Sequence, residues 1–281
     1  MTLSPRQISE LLAEHGLAPS RALGQNFVAD PNTVRRIARL AGVGAGDRVV
    51  EIGAGLGSLT LALAETGASV TAVEVDRHLV PVVAAVVAGT GVRVVEGDAL
   101  RLDWEDLLGP GTGWAMVANL PYNVATPLVA DLLDGVPQIT RMLVMVQREV
   151  GERLAAGVGQ GAYGAVSVKV GYWARAVLSG RVPAAVFIPR PRVESVLVSI
   201  VRRDRPAVDP ALIGPAELFA VVRAGFAQRR KMLRRSLAGV VSPEAFASAG
   251  IDPTMRAEDL DVEAWGRLAV AAQGPAPAGI R

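Results

Sequence analysis

The 281-residue chain contains no cysteine. That excludes a disulfide scaffold, a cysteine nucleophile and any thiolate metal site. Histidine is almost as scarce, with only His15 and His78, so a histidine-rich metal centre is excluded and no metal is expected. A carboxylate-only site stays open. Lysine is limited to Lys169 and Lys231, and arginine supplies 27 of the 29 basic groups. No uninterrupted apolar run reaches the roughly 18 residues of a membrane-spanning helix. Residues 1–16 carry Glu10 and Glu14 and lack a signal-peptide core. The expectation is a soluble, cytoplasmic protein with no membrane partner. What is present is ample apolar material, 51% of residues, and a charged fraction of 20%, which argue for folded domains rather than global disorder. The length suits one or two domains.

The near-neutral net charge of +2 hides an uneven distribution. Residues 1–140 hold 9 basic against 15 acidic groups, a net −6. Residues 141–235 hold 17 against 6, a net +11, and residues 236–281 hold 3 against 6, a net −3. A basic middle of this size suggests a polyanionic partner, with a solvated arginine-rich surface as the plainer alternative.

Residues 31–41 read as a helix opened by Asp30-Pro31, with Val34, Ile37, Ala38 and Ala41 as its apolar stripe. From residue 48 onward, strand-like runs at 48–52, 69–75, 92–96, 114–118 and 141–146 alternate with helical ones at 58–66, 77–88 and 127–134. This alternation predicts an α/β, Rossmann-like domain with a central, mostly parallel sheet. A helix near 147–156, segments at 165–171 and 175–179, and a strand at 193–201 follow. The proline-containing stretch 202–210 reads as a linker. Helical segments at 216–227, 231–238, 243–249 and 262–272 then predict a small all-helical domain. The boundaries are 1–204 for the first domain and 205–273 for the second, with 274–281 as a disordered tail.

Chemistry concentrates at strand ends. Gly53-Ala-Gly-Leu-Gly57 links the first strand to a helix, where glycines admit a ligand close to the backbone. Its G-x-G-x-G spacing differs from the dinucleotide G-x-G-x-x-G. Glu74 ends the second strand, where a carboxylate can accept both ribose hydroxyls. Asp98 follows the third, where one can accept from an adenine amine. Together they favour an adenosine-containing cofactor at the carboxyl edge of the sheet, over a tight structural turn. Asn119-Leu-Pro-Tyr122 closes the fourth strand. Pro121 holds Leu120 extended, which offers the Asn119 side-chain carbonyl and the Leu120 or Pro121 backbone carbonyl as acceptors, with the Tyr122 ring beside them. Two acceptors and a π-face suit an adenine N6 amine.

Gly53-Ala-Gly-Leu-Gly57, Glu74-Val-Asp76, Gly97-Asp98-Ala99 and Asn119-Leu-Pro-Tyr122 resemble the ordered motifs of class I methyltransferases that use S-adenosylmethionine (SAM). With Leu23-Gly-Gln-Asn-Phe27, Gln147-Arg-Glu-Val150, the run from Phe187 to Ser195 and the run from Phe226 to Leu237, the chain resembles the small-subunit rRNA adenine dimethyltransferase family over about residues 18–265. The resemblance implies N6-dimethylation of two adjacent adenosines in the hairpin near the 3′ end of 16S rRNA, within the small (30S) subunit or its precursor, by a monomer. It implies SAM contacts at Asn26, Val28, Gly53, Glu74, Asp98 and Asn119, and catalytic roles for Asn119, Leu120, Pro121 and Tyr122. Arg21 stands where the family often has Lys, and Val28 where it often has Leu; neither change removes a catalytic group.

The basic middle then acquires a role in RNA binding. Arg190 and Arg192 flank the expected substrate mouth. Arg223, Arg229, Arg230, Lys231, Arg234 and Arg235 lie on or near one helical segment, where 230 and 234 would share a face, as would 231 and 235. Such a ladder suits phosphate contacts. Rival readings are a large-subunit rRNA adenine methyltransferase that confers macrolide resistance, a mainly non-catalytic subunit-assembly checkpoint factor, and a nicotinamide-dependent dehydrogenase. The last leaves Asn119-Leu-Pro-Tyr122 unexplained. His15 and His78 read as a helix-end and an exposed-turn residue, and Trp104, Trp114, Trp173 and Trp265 as packing residues.

Overall fold

The computed structural model describes residues 2–121 and 124–274. Its strands are β1 (Phe27–Val28), β2 (Arg48–Ile52), β3 (Ser69–Glu74), β4 (Arg93–Glu96), β5 (Trp114–Asn119), β6 (Ile139–Gln147), β7 (Ala174–Val182), β8 (Phe187–Ile188) and β9 (Ser195–Arg202). The helices are α1 (Pro5–Glu14), α2 (Pro31–Ala41), α3 (Ser58–Ala64), α4 (Val80–Val86), α5 (Trp104–Leu108), α6 (Ala125–Gly135), α7 (Arg148–Ala155), α8 (Ala165–Trp173), α9 (Pro215–Ala227), α10 (Leu233–Ser236), α11 (Pro243–Ala249) and α12 (Val262–Ala272). They divide into two compact units, one of residues up to 151 with 176–202, the other of 152–175 with 203 onward.

The first unit carries a seven-stranded sheet in the order β4-β3-β2-β5-β6-β9-β7. β4, β3, β2, β5 and β6 run parallel, and β9 joins β6 antiparallel with Gln147 opposite Ser195. Strands buried on both faces read as near-continuous apolar runs, which is the pattern of Trp-Ala-Met-Val-Ala in β5. Helices α2 and α3 cover one face. Val34, Ile37, Leu59 and Leu63 pack there against Val49, Val70, Val117, Leu143 and Leu197. The strand order reverses direction between β2 and β5, so their carboxyl ends border the crevice where open α/β sheets bind ligands.

Arg202, the last residue of β9, fixes the far end of α6. Its guanidinium donates to the carbonyls of Leu132, Leu133, Val136 and Ile139 at 2.8–3.2 Å. Leu132 and Leu133 lie in the last turn of α6, where carbonyls run short of intrahelical donors, and Val136 and Ile139 carry the chain from there into β6. Arg202→Ala is therefore expected to lower unfolding stability by about 2 kcal/mol. Arg202→Lys should recover little of it, since a compact ammonium cannot span four acceptors. Urea unfolding of the three proteins measures this; full recovery by Lys would contradict the capping role.

The second unit explains how a chain with few aromatics builds a second core. Seven of the twelve aromatic residues gather in it. Tyr172 meets Phe219 edge-on at 5.3 Å, Tyr163 meets Phe226 at 6.0 Å, and Phe226 meets Trp265 at 5.8 Å between ring centroids. The Tyr163 hydroxyl donates to the Leu260 carbonyl. Because Tyr163 and Tyr172 belong to this core, residues 152–175 fold with the C-terminal helices, although the sequence boundary at 204 assigns them to the first domain. Residues 275–281 of the expected tail lie outside the described residues. Among the described residues no helix is long and apolar enough to cross a membrane, and no group of three or more His, Asp or Glu could hold a metal ion.

Candidate active site

The turn from β2 into α3 requires glycine for two separate reasons. Gly53 has φ 76° and Gly55 φ 59°, a region that side chains rarely adopt. At Gly55 an added Cβ would also stand 3.0 Å from Cδ1 of the Phe27 ring. The Gly53 N–H donates to the Val73 carbonyl at 2.9 Å, which ties the turn to the end of β3. One step further, the Gly55 N–H donates to Oε2 of Glu74 at 2.7 Å, while Oε1 accepts from the Asp76 N–H at 2.9 Å. Glu74 is buried, and burial raises its pKa against the opposing pull of those two N–H donors. A carboxylate has about four acceptor positions, so the pair of oxygens keeps capacity for two further donors, such as vicinal hydroxyls.

Asn119 ends β5 opposite Met145 of β6. Its Nδ2 donates to the Asn26 carbonyl at 3.0 Å. That bond orients the amide, because the reverse orientation would set oxygen against oxygen. Oδ1 is thereby the end of the amide that can accept a hydrogen bond. The sequence leaves two candidates for the second acceptor, the Leu120 and Pro121 carbonyls. The Pro121 carbonyl accepts from the N–H groups of Val124 and Ala125 at 3.2 and 3.1 Å as α6 begins. The Leu120 N–H is fixed to the Met145 carbonyl at 3.0 Å. Tyr122, singled out as a stacking ring, lies outside the described residues.

Two clefts adjoin along this edge. One, of about 670 Å³, is lined by Asn26, Val28, Gly53, Glu74 and Asn119 among others. The other, of about 710 Å³, is lined by Asp98, Leu120 and Pro121, and the two share Leu23, Gly53, Val75 and Pro121. Every cofactor residue named from the sequence thus lines one of two connected hollows. Asp98 Oδ1 accepts the Leu100 N–H at 3.0 Å, and its other oxygen faces Arg101 at 3.7 Å. Val28 pairs with Phe187 in the β1–β8 ribbon, so the segment carrying Asn26 is joined to the one leading to Arg190 and Arg192.

One residue of the first cleft escaped the sequence reading. Glu51, the last but one residue of β2, is 1% exposed. Burial pushes its pKa up to about 8, with the nearby Glu74 charge adding to the rise. Its Oε2 and the Ser58 hydroxyl have no hydrogen-bond partner, although both residues line the cleft. Periodicity contains a signal for it. Glu51 shares the face of Val49, so a carboxylate occupies a position that alternation assigns to the core.

The expected ladder of cations requires correction. Arg223 lies on α9, but that helix stops at Ala227, and α10 spans only Leu233–Ser236. The backbone between them turns to bond a neighbouring loop instead of continuing the helix. The Leu233 N–H donates to the Met255 carbonyl at 2.7 Å and the Arg234 N–H to that of Pro253 at 3.0 Å, with Met232 bridged to Arg256. Arg230 and Arg234, like Lys231 and Arg235, therefore do not share a helical face. All are exposed. Arg229 is bound within its own unit, pairing with Glu258 at 2.9 Å and donating to the Gly161 carbonyl. In the first unit, exposed Arg192 lines a hollow with Gln147 and Arg148, at the same carboxyl edge of the sheet as Asn119. His15 is the C-cap of α1, and His78 lies exposed in the turn before α4.

Residues 18–273 match the family model of the ribosomal RNA adenine dimethylases. The "Ribosomal RNA small subunit methyltransferase A" of Streptomyces coelicolor is 48% identical over 95% of this chain and 96% of that protein. The protein of the same description from Kineococcus radiotolerans is 46% identical over 98% and 93%. Among solved structures, a dimethyladenosine transferase from Plasmodium falciparum superposes with a TM-score of 0.72 at 22% identity, covering 85% of this chain and 94% of that one. The 23S rRNA methyltransferase ErmE superposes with a TM-score of 0.69 at 25% identity, covering 88% and 100%.

Proposed function

The chain belongs to the ribosomal RNA adenine dimethylase family, and from that premise we infer how its residues carry the family's reaction: SAM-dependent dimethylation of adenine N6 in 16S rRNA. Fold alone does not select this substrate, since ErmE shares the fold. The far higher identity to small-subunit enzymes does, and it disfavours the large-subunit alternative.

The residues present fit SAM. Glu74 would take the ribose hydroxyls on its remaining acceptor positions, and Asp98 the adenine amine in the second cleft. The partnerless Glu51 Oε2 and Ser58 hydroxyl are buried polar atoms awaiting donors, and an α-ammonium would satisfy the first. Bound SAM supplies a sulfonium methyl that is already activated, so the protein's task is alignment. Asn119 Oδ1 and the Leu120 carbonyl would accept hydrogen bonds from the two N6–H groups of the target adenine. These bonds draw the nitrogen lone pair away from the ring and toward the methyl. No dedicated base is needed, because the methylated amine is acidic enough to release its proton to solvent. Tyr122 would stack on the base once it has left its helix. Arg190 and Arg192, and separately Arg223, Arg230, Lys231, Arg234 and Arg235, would contact RNA phosphates. Arg229, held by Glu258, would contribute least. The setting is the cytoplasmic small subunit or its precursor, two adjacent adenosines of the 3′ hairpin, and a monomeric enzyme.

The observation that supports this mechanism is the Asn119–Asn26 bond, which commits Nδ2 and leaves Oδ1 as the acceptor end of the amide. Transfer of labelled methyl from SAM to small subunits, large subunits and naked rRNA in parallel tests the assignment. Label is expected in 16S rRNA of the small subunit; label confined to the large subunit would overturn it.

A further inference from the structure

The loop over residues 20–26 forms part of the wall of both clefts, through Ala22, Leu23 and Asn26. It is compact. The Gln25 N–H donates to the Ser20 carbonyl at 3.0 Å, and Gln25 Oε1 accepts the Ser20 N–H at 2.8 Å. The other end of the same side-chain amide leaves the loop. Gln25 Nε2 donates to Asp76 Oδ2 at 2.7 Å, across 51 residues of sequence. Asp76 is in turn held in place, since its N–H binds Glu74 and its Oδ1 accepts the His78 N–H at 3.0 Å. At the loop's other end, the Asn26 carbonyl receives Asn119. One series of bonds therefore runs from Glu74 through Asp76, Gln25 and Asn26 to Asn119. It connects the ribose acceptor to the acceptor of the target amine.

We propose that Gln25 and Asp76 form a latch that holds the 20–26 loop closed over bound SAM and keeps Asn119 in register with the methyl. Both are positioning residues, acting through Asn26 and Glu74 rather than on the reacting atoms. The bond suits a latch. It is charge-assisted and half-buried, so it is strong when made and is replaced by water when the loop opens. The only tether from the loop's side chains to the ribose strand among the bonds above is this one, whereas its own fold persists through Ser20 without Asp76. Opening can thus move the loop as a body.

This proposal rests on the cofactor reading above, and the test separates the two. Labelled SAM is bound to the intact chain and to Gln25→Ala, Asp76→Ala and the double variant, and its release is followed after an excess of unlabelled SAM is added. Loss of one charge-assisted hydrogen bond is expected to speed release roughly tenfold to a hundredfold in each single variant. The double variant should release no faster than the faster single one, because both substitutions break the same bond. At saturating SAM, kcat should also fall in all three, through the Asn26–Asn119 bond. Only folded protein retains SAM, so partial unfolding changes the amount bound and not the release rate. Unchanged release in the single variants, or a double effect equal to the product of the two, would overturn the latch alone. Failure of the intact chain to bind SAM would overturn the cofactor reading and the latch with it.

Discussion

Asn119→Ala is expected to lower kcat on the order of a hundredfold to a thousandfold, while the SAM dissociation constant changes by less than about tenfold. The asymmetry follows from where each end of the side chain points. In the proposed mechanism Oδ1 serves the target amine, and losing it removes an acceptor that matters most as the nitrogen becomes tetrahedral. Nδ2 serves the Asn26 carbonyl, and losing it only loosens one wall of the cofactor cleft. Single-turnover methyl transfer measures the first effect, and calorimetric titration with SAM the second. Equal losses in both would place Asn119 in cofactor binding alone.

The second large effect concerns Glu51 and pH. In the ligand-free protein its carboxyl has a pKa of about 8 because it is buried, against 4.5 when exposed. The folded state therefore binds one more proton than the unfolded state between those values. Below pH 4.5 Glu51 adds no pH-dependent cost; its destabilisation grows as pH rises through the window and is complete above about 8. The slope is about 1.4 kcal/mol per pH unit at most. Glu74, also raised by burial, acts in the same direction. An ammonium brought to Oε2 would favour the charged carboxylate, so SAM should bind more tightly as pH approaches 8 and should release roughly one proton at pH 7. Calorimetry in two buffers of different ionisation enthalpy reads that proton directly. Glu51→Gln should abolish proton release and weaken SAM binding at pH 8 by about tenfold or more. Unaltered proton release in Glu51→Gln would assign the linkage to another group.

Much of the site was legible because it is local. The strand Arg48–Ile52, the glycine turn after it and Glu74 at the end of β3 each follow from short-range patterns of alternation and turn chemistry. The parallel order of five strands follows from their alternation with helices. What the pattern does not contain are contacts between distant segments. The helix expected over 231–238 is cut to Leu233–Ser236, with its first N–H groups bonded to Met255 and Pro253, so propensity yields to tertiary structure there. The placement of 152–175 with the C-terminal helices depends on Tyr163 and Tyr172 finding Phe226 and Phe219. The bonds to the Pro121 carbonyl depend on how α6 begins. Glu51 lies between these cases. Its odd position is visible in the strand pattern, but its partnerless oxygen is visible only once α3 is packed over it.

The basic middle of the chain takes a different form in three dimensions. It is not a single striped helix but separate groups of exposed arginines, on the Arg190–Arg192 loop of one unit and around the broken segment of the other. This matters for phosphate contact, because a turn displays its cations in several directions whereas a helix aligns them. Arg229 in its ion pair with Glu258 shows that some of the charge is spent internally.

The most direct test of the whole account is to map the product. Small subunits lacking the modification are incubated with the protein and SAM, and the 16S rRNA is digested and sequenced by mass spectrometry. The account predicts N6,N6-dimethyladenosine at two adjacent positions of the 3′ hairpin, and none with Asn119→Ala over the same period. Methyl groups on another atom or base, or an equal yield from Asn119→Ala, would contradict it.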